Sequence, residues 1–180
     1  MNKCRVLIIC SGIGVLFFLF ACKDGNKKDK LAVYVSKNEN GLTKKITDGE
    51  TEIITQFIPE KIEKPDTGNK NRVYKFMVYV NTKAESMTDS ILYIFNYHSS
   101  DYFRLVSGND TLKPVLSERI ANGRREANQF TVLFDMEGKN KLADPLSLLF
   151  LGNKLFRDSL VFHYELKDLK KASKTLYGYE

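Results

Sequence analysis

The sequence predicts a mainly β fold, a single antiparallel sandwich. Three observations carry that expectation. Short segments alternate apolar and polar side chains with period two, turn-forming residues separate them at short intervals, and no long segment repeats with the 3.6-residue period of a helix. The composition is compatible with it. At 180 residues, 43% hydrophobic and 28% charged, the chain is neither a multi-span membrane protein nor wholly disordered. Trp is absent, but 12 Phe and 9 Tyr suffice for a substantial core.

The elements follow in order. Leu31 to Lys37 fits a first strand or a short helix. Thr51 to Ile58, rich in Ile and Thr and closed by Pro59, reads as a strand. A polar stretch from Glu60 to Asn71, with Pro65-Asp66-Thr67-Gly68-Asn69, reads as a loop. Arg72 to Thr82 is apolar on both faces (Tyr74, Phe76, Val78 and Val80 against Val73, Met77 and Tyr79), which suits a central strand. Ser90 to His98 also alternates, with Ile91, Tyr93, Phe95 and Tyr97 on one side, and is expected to be a strand.

Tyr102–Val106 and Thr111–Leu116 flank Ser107-Gly108-Asn109-Asp110 as a hairpin, and Pro114 places the second arm at a sheet edge. Gln129–Met136, Leu146–Leu151 and Ser159–Leu166 complete the strands, and Asp168–Thr175 is the best helix candidate.

The N-terminal segment is an address rather than part of this fold. Lys3 and Arg5 precede a charge-free apolar run, Val6 to Phe20. The run is about 15 residues, short of the roughly 20 needed to span a bilayer, and reads as a secretory signal peptide. Its end, Leu19-Phe20-Ala21-Cys22, resembles the lipobox of bacterial lipoproteins, with Phe20 standing where that family usually has a small or β-branched residue. The resemblance implies a diacylglyceryl group on the Cys22 thiol, cleavage before Cys22 and acylation of the new amine. Two or three acyl chains anchor firmly where one alone is marginal. Lys23, rather than Asp, follows the cysteine, which favours the outer membrane and leaves its face open.

On this reading residues 1–21 are the signal peptide, 22–30 a flexible lipid-anchored tether of Lys, Asp, Gly and Asn, and 31–180 the sandwich domain. The cysteines fit this division. Cys4 and Cys10 leave with the signal peptide and Cys22 carries lipid, so the domain has no thiol nucleophile, zinc–thiolate site or disulfide. The formal charge of +6 is mild. Removing Lys3 and Arg5 from 28 basic residues leaves 26 against 22 acidic, or +4, with no dense basic stripe interleaved by aromatics. Nucleic acid is therefore not an expected partner. Lys167, Lys170, Lys171 and Lys174 cluster near the C-terminus as a solvated face or a contact for anionic lipid or an acidic partner.

Phe130-Thr131-Val132-Leu133-Phe134-Asp135 followed by Leu160-Val161-Phe162-His163-Tyr164 resembles the closing strands of small immunoglobulin-like domains carried by many bacterial lipoproteins. The resemblance spans about residues 50–167 and implies an immunoglobulin-like sandwich.

The chemistry-bearing residues are few. His98 and His163 are the only histidines. Ser99, Ser100 and Asp101 follow His98, but neighbours at a strand end point apart and do not form a triad by themselves. No phosphate loop, nucleophile elbow or calcium loop occurs in the sequence, so no cofactor and no metal are expected. The aromatics from Tyr93 to Phe103 fill a core or form a contact surface. Ala121-Asn122-Gly123-Arg124-Arg125-Glu126 is a polar connection, and Asn122, Arg124 and Arg125 are its candidate binding residues, because guanidinium groups grip carboxylates in pairs of hydrogen bonds. Replacing both arginines is expected to leave stability nearly unchanged.

The function expected is a non-enzymatic interaction or accessory module, monomeric and anchored in the cell envelope, with a protein partner there or outside the cell. Two alternatives are a small-ligand carrier with its site between the sheets and a hydrolase using His98 or His163.

Overall fold

The computed structural model describes residues 29–59, 73–136, 144–152 and 158–177. The chain divides after Tyr34, and everything described below belongs to the unit Val35–Glu180 except the start of a helix, α1, whose described part is residues 29–36. Leu31–Lys37 is thus helical for most of its length, one of the two conformations its sequence allows. Cys22, the rest of the N-terminal segment and the turn at Pro65–Asn69 lie outside the described residues.

Nine strands form two antiparallel sheets among the described residues. The first contains β1 (Thr43–Asp48), β2 (Thr51–Ile58), β3 (Val73–Asn81), β6 (Leu116–Ile120) and β7 (Ala127–Asp135), in the order β1-β2-β3-β7-β6. The second contains β4 (Phe103–Ser107), β5 (Asp110–Leu112), β8 (Leu146–Phe150) and β9 (Leu160–Tyr164), in the order β5-β4-β8-β9. A mainly β, two-sheet architecture is what the alternation predicts.

Register explains the core. Phe57 pairs with Phe76, which pairs with Val132, while Thr55 pairs with Val78 and Val78 with Phe130. A side-chain period of two brings these residues to one face, and all are buried. In the second sheet Phe103 opposes Phe150 and Leu105 opposes Leu148, again buried. The two inner faces meet ring to ring: Phe76 with Tyr164 at 5.4 Å and Phe103 with Phe130 at 5.8 Å between centroids. Thr55 Oγ1 and Tyr164 OH, both buried, share a 2.6 Å hydrogen bond across the gap.

The β4–β5 hairpin turns at Gly108, whose φ of 60° suits the first position of a type II′ turn. The arm is shorter than expected. It ends at Leu112, and Lys113-Pro114-Val115 carries the chain across to the other sheet, where Leu116–Ile120 is β6.

Ser90–His98 is not a strand. Asp89–Tyr97 is helix α2, followed by a 3₁₀ turn, Ser99–Tyr102, and together they carry the chain from β3 to β4. Its run of large side chains satisfies both periods, but burial follows the helical one: Ile91, Phe95 and Ser99 are buried, four residues apart. Thr88 caps the start, its Oγ1 accepting from the Ile91 N–H at 3.3 Å, and Asp89 occupies the first turn. Phe95 then enters the core, 5.0 Å from Phe130 of one sheet and 6.5 Å from Phe150 of the other.

Helix α3 (Leu166–Tyr177) follows β9 and contains the expected Asp168–Thr175 segment. Asp144 Oδ1 accepts from the Leu166 N–H at 3.0 Å, Leu169 and Ala172 are buried, and Tyr177 OH donates to the Pro59 carbonyl at 2.9 Å. Gly41 takes the left-handed φ of 67°, and a Cβ there would fall on the Asp168 carboxylate of α3, so a side chain would be strained and would force that carboxylate to move.

Candidate functional site

A connected run of polar side chains lies at one corner, where α2 meets the β6–β7 hairpin. β6 inverts the usual pattern. Its register places Ser117 opposite Val132 and Arg119 opposite Phe130, so these two polar residues share the face of the core. Leu116 and Ile120 point outward and are exposed. The inward polar residues are satisfied by what packs on them. Ser99 Oγ donates to the Ser117 carbonyl at 3.0 Å and accepts from Ser117 Oγ at 2.9 Å.

Arg119 joins three elements. Its Nε donates to Asn128 Oδ1 at 2.6 Å, Nη1 to Asn96 Oδ1 of α2 at 2.9 Å, and Nη2 to the Arg124 carbonyl at 3.4 Å. All three acceptors are amide oxygens. Desolvation lowers its pKa from the ordinary arginine value, because partial burial disfavours the charged form. Asn128, itself buried, passes the chain of bonds on by donating to the Arg125 carbonyl at 2.8 Å.

The three candidate residues of the β6–β7 connection have different roles. Asn122 is committed within the loop: Oδ1 accepts from the Arg124 N–H at 3.0 Å and Nδ2 donates to the Ala127 carbonyl at 2.7 Å. Gly123, at φ 74°, supplies the left-handed residue of this turn. Arg125 reaches α2, donating to the Met87 carbonyl at 3.0 Å and Asp89 Oδ1 at 2.6 Å. All three are exposed; Arg124, with 69% of its side chain accessible against 53% for Arg125, has its Nε 3.2 Å from Glu126 Oε1. Helix α2 is thereby held near both ends, by Arg125 at its start and by Arg119 at Asn96.

What this clamp presents is aromatic. Tyr93 and Tyr97, one helical turn apart, are 58% and 72% exposed, with ring centroids 5.0 Å apart. His98 adds a third ring 5.6 Å from Tyr93, and its Nδ1 lies 3.9 Å from Asp101 Oδ2. The aromatics of α2 therefore divide by helical phase, Phe95 entering the core while Tyr93 and Tyr97 face solvent, and Phe103 enters the core from β4. The missed signal was Thr88-Asp89, a cap and an acidic first turn directly before the run.

The histidines do not assemble a relay. Ser99 turns inward to Ser117, whereas His98 faces Asp101 outside. His163 is on the outward face of β9, its Nδ1 2.8 Å from Ser147 Oγ of β8. Among the described residues, no carboxylate bonds its other ring nitrogen, and no group of three or more His, Cys, Asp or Glu is placed to hold a metal ion. No helix among the described residues is long and apolar enough to cross a membrane.

Comparison with protein-family models, with curated proteins and with solved structures finds no match to this chain.

Proposed function

We propose that this chain is a lipid-anchored, non-enzymatic interaction module of a bacterial cell envelope, held in the outer membrane through Cys22. On this reading the sandwich is an immunoglobulin-like display scaffold, and its contact surface is the outer face of α2 with the tip of the β6–β7 hairpin. The observation that carries it is the exposed, adjoining pair Tyr93–Tyr97, with rings tilted at 47°, on a helix held near both ends. Tyr offers a large amphipathic area with few rotatable bonds, and a fixed support lowers the entropy lost on contact. Arg124, at the tip of the same hairpin, suits a partner with carboxylates beside its apolar contact. The eight fully buried aromatic rings of the core support this reading over a carrier, since they occupy the region where a ligand would have to lie.

The test is a photo-crosslinking residue placed in turn at Tyr93, Tyr97 and, as a control, exposed Thr111 of β5. A discrete adduct at the two tyrosine positions in native membranes, absent at Thr111, is expected. Equal patterns at all three positions refute the surface. The anchor is checked separately: Cys22→Ser should abolish incorporation of labelled fatty acid, and an unmodified Cys22 in the intact wild-type chain would sink that half of the proposal.

A further inference from the structure

The outward face of α3 is a second feature that the fold does not use. Lys167, Lys170, Lys171 and Lys174 are all exposed. Steps of three, four and seven residues, at about 3.6 per turn, gather them on one strip of about 100° of helix surface. The opposite face is already occupied, by the buried Leu169 and Ala172. Asp168 is half-buried beside Gly41, and Glu165 takes Lys167 at 2.5 Å. Among the described residues, Lys170, Lys171 and Lys174 meet no carboxylate.

Such a strip works against the helix that bears it. Like charges three and four residues apart repel, and here 167/170, 167/171, 170/174 and 171/174 are all such pairs. An external array of negative charge would remove that repulsion. We infer that this strip docks on an anionic phospholipid surface. The source is chosen by shape and chemistry. The lysines stand on a convex ridge, which meets a plane of headgroups at several points at once, and Lys is a hydrated point charge suited to diffuse contact rather than to gripping one anion. Because the apolar face of α3 is committed to the core, the helix stays at headgroup depth and the contact is electrostatic. The inference rests on the proposed anchor at Cys22 only for bringing a bilayer within reach.

The full-length protein, purified in detergent, is reconstituted into vesicles of phosphatidylcholine with or without phosphatidylglycerol, and flotation confirms that it is on them. A membrane-impermeant amine reagent and peptide mass spectrometry then read each lysine. Lys170, Lys171 and Lys174 should label several-fold more slowly on the anionic vesicles, while exposed Lys113 is unchanged. The difference should vanish in about 1 M salt, where screening acts within about 3 Å. In the triple variant Lys170→Gln, Lys171→Gln, Lys174→Gln, the protection of Lys167 should be lost with the circular dichroism spectrum retained. Equal labelling on both vesicles overturns the inference, and so does protection by soluble polyglutamate but not by the anionic vesicles. The N-terminal peptide mass reports the anchor independently. Selective protection with an unmodified Cys22 refutes the anchor alone, and equal labelling with a lipid-bearing Cys22 refutes the docking face alone.

Discussion

Tyr164 shows how much one residue can bind together. Its ring packs on Phe76 of the opposite sheet, and its hydroxyl finds a single buried partner, Thr55 Oγ1 at 2.6 Å. Removing one member leaves the other buried and unsatisfied, which costs more than the bond itself stabilises. Tyr164→Phe should therefore destabilise by about 1–3 kcal/mol. The double variant Thr55→Val, Tyr164→Phe should recover most of it, as read by denaturant unfolding. An additive double variant would show that the pair is not coupled. Burial also raises the phenol's pKa well above its ordinary value, with the hydrogen bond from Thr55 opposing only part of the shift. The sign follows: below about pH 10 both folded and unfolded chains keep the proton, and above it the unfolded chain loses its proton first. Stability should fall as pH rises from about 10, and the fall should be shallower in Tyr164→Phe. The alternation of β2 and β9 places both residues inward, but the sequence holds no mark that their hydroxyls meet, because they are 109 positions apart.

At the scale of the element, the clamp around α2 separates two arginines that look alike in the sequence. Arg124→Ala should change stability by no more than about 0.5 kcal/mol, as for other exposed substitutions. Arg125→Ala removes donors to the Met87 carbonyl and to Asp89, and should cost about 1 kcal/mol. Thr88→Ala, which loses the cap, should cost a similar amount, about 1 kcal/mol. Equal effects of the two arginine substitutions in chemical denaturation would refute the clamp.

The elements also show where legibility stops. β2, β3, β7, β8 and β9 announce themselves because one or both faces are buried and the alternation is clean. The edge strands β1 and β6 do not. β1 is largely polar with no buried residue, and β6 turns Ser117 and Arg119 inward because a helix arrives to bond them. α2 was misread since Ile91 to Tyr97 is apolar at almost every position, so period two and period 3.6 fit equally and only the cap distinguishes them. The same ambiguity hid the candidate surface: as a strand the segment would place Tyr93, Phe95 and Tyr97 together, whereas the helix divides them between solvent and core.

For the whole molecule, the aromatic core makes the two sheets one thermodynamic object. Phe130 of the first sheet touches Phe103 of the second and Phe95 of α2, while Phe95 and Phe103 both touch Phe150. No layer can lose its partner without exposing these rings, so neither sheet is expected to persist alone. All three cysteines precede residue 35, so no cross-link within Val35–Glu180 supplements this burial. Phe130→Leu keeps an apolar side chain but removes the ring contacts to both neighbours, and should cost about 1–3 kcal/mol. The loss should appear as one transition at a lower denaturant midpoint, with near-ultraviolet signal from the tyrosines and far-ultraviolet signal from the sheets moving together. Reductant should leave that midpoint where it is. Two separated transitions, or a tertiary signal that melts ahead of the secondary one, would mean that the sheets are stabilised independently and that Phe130 is not the joint between them.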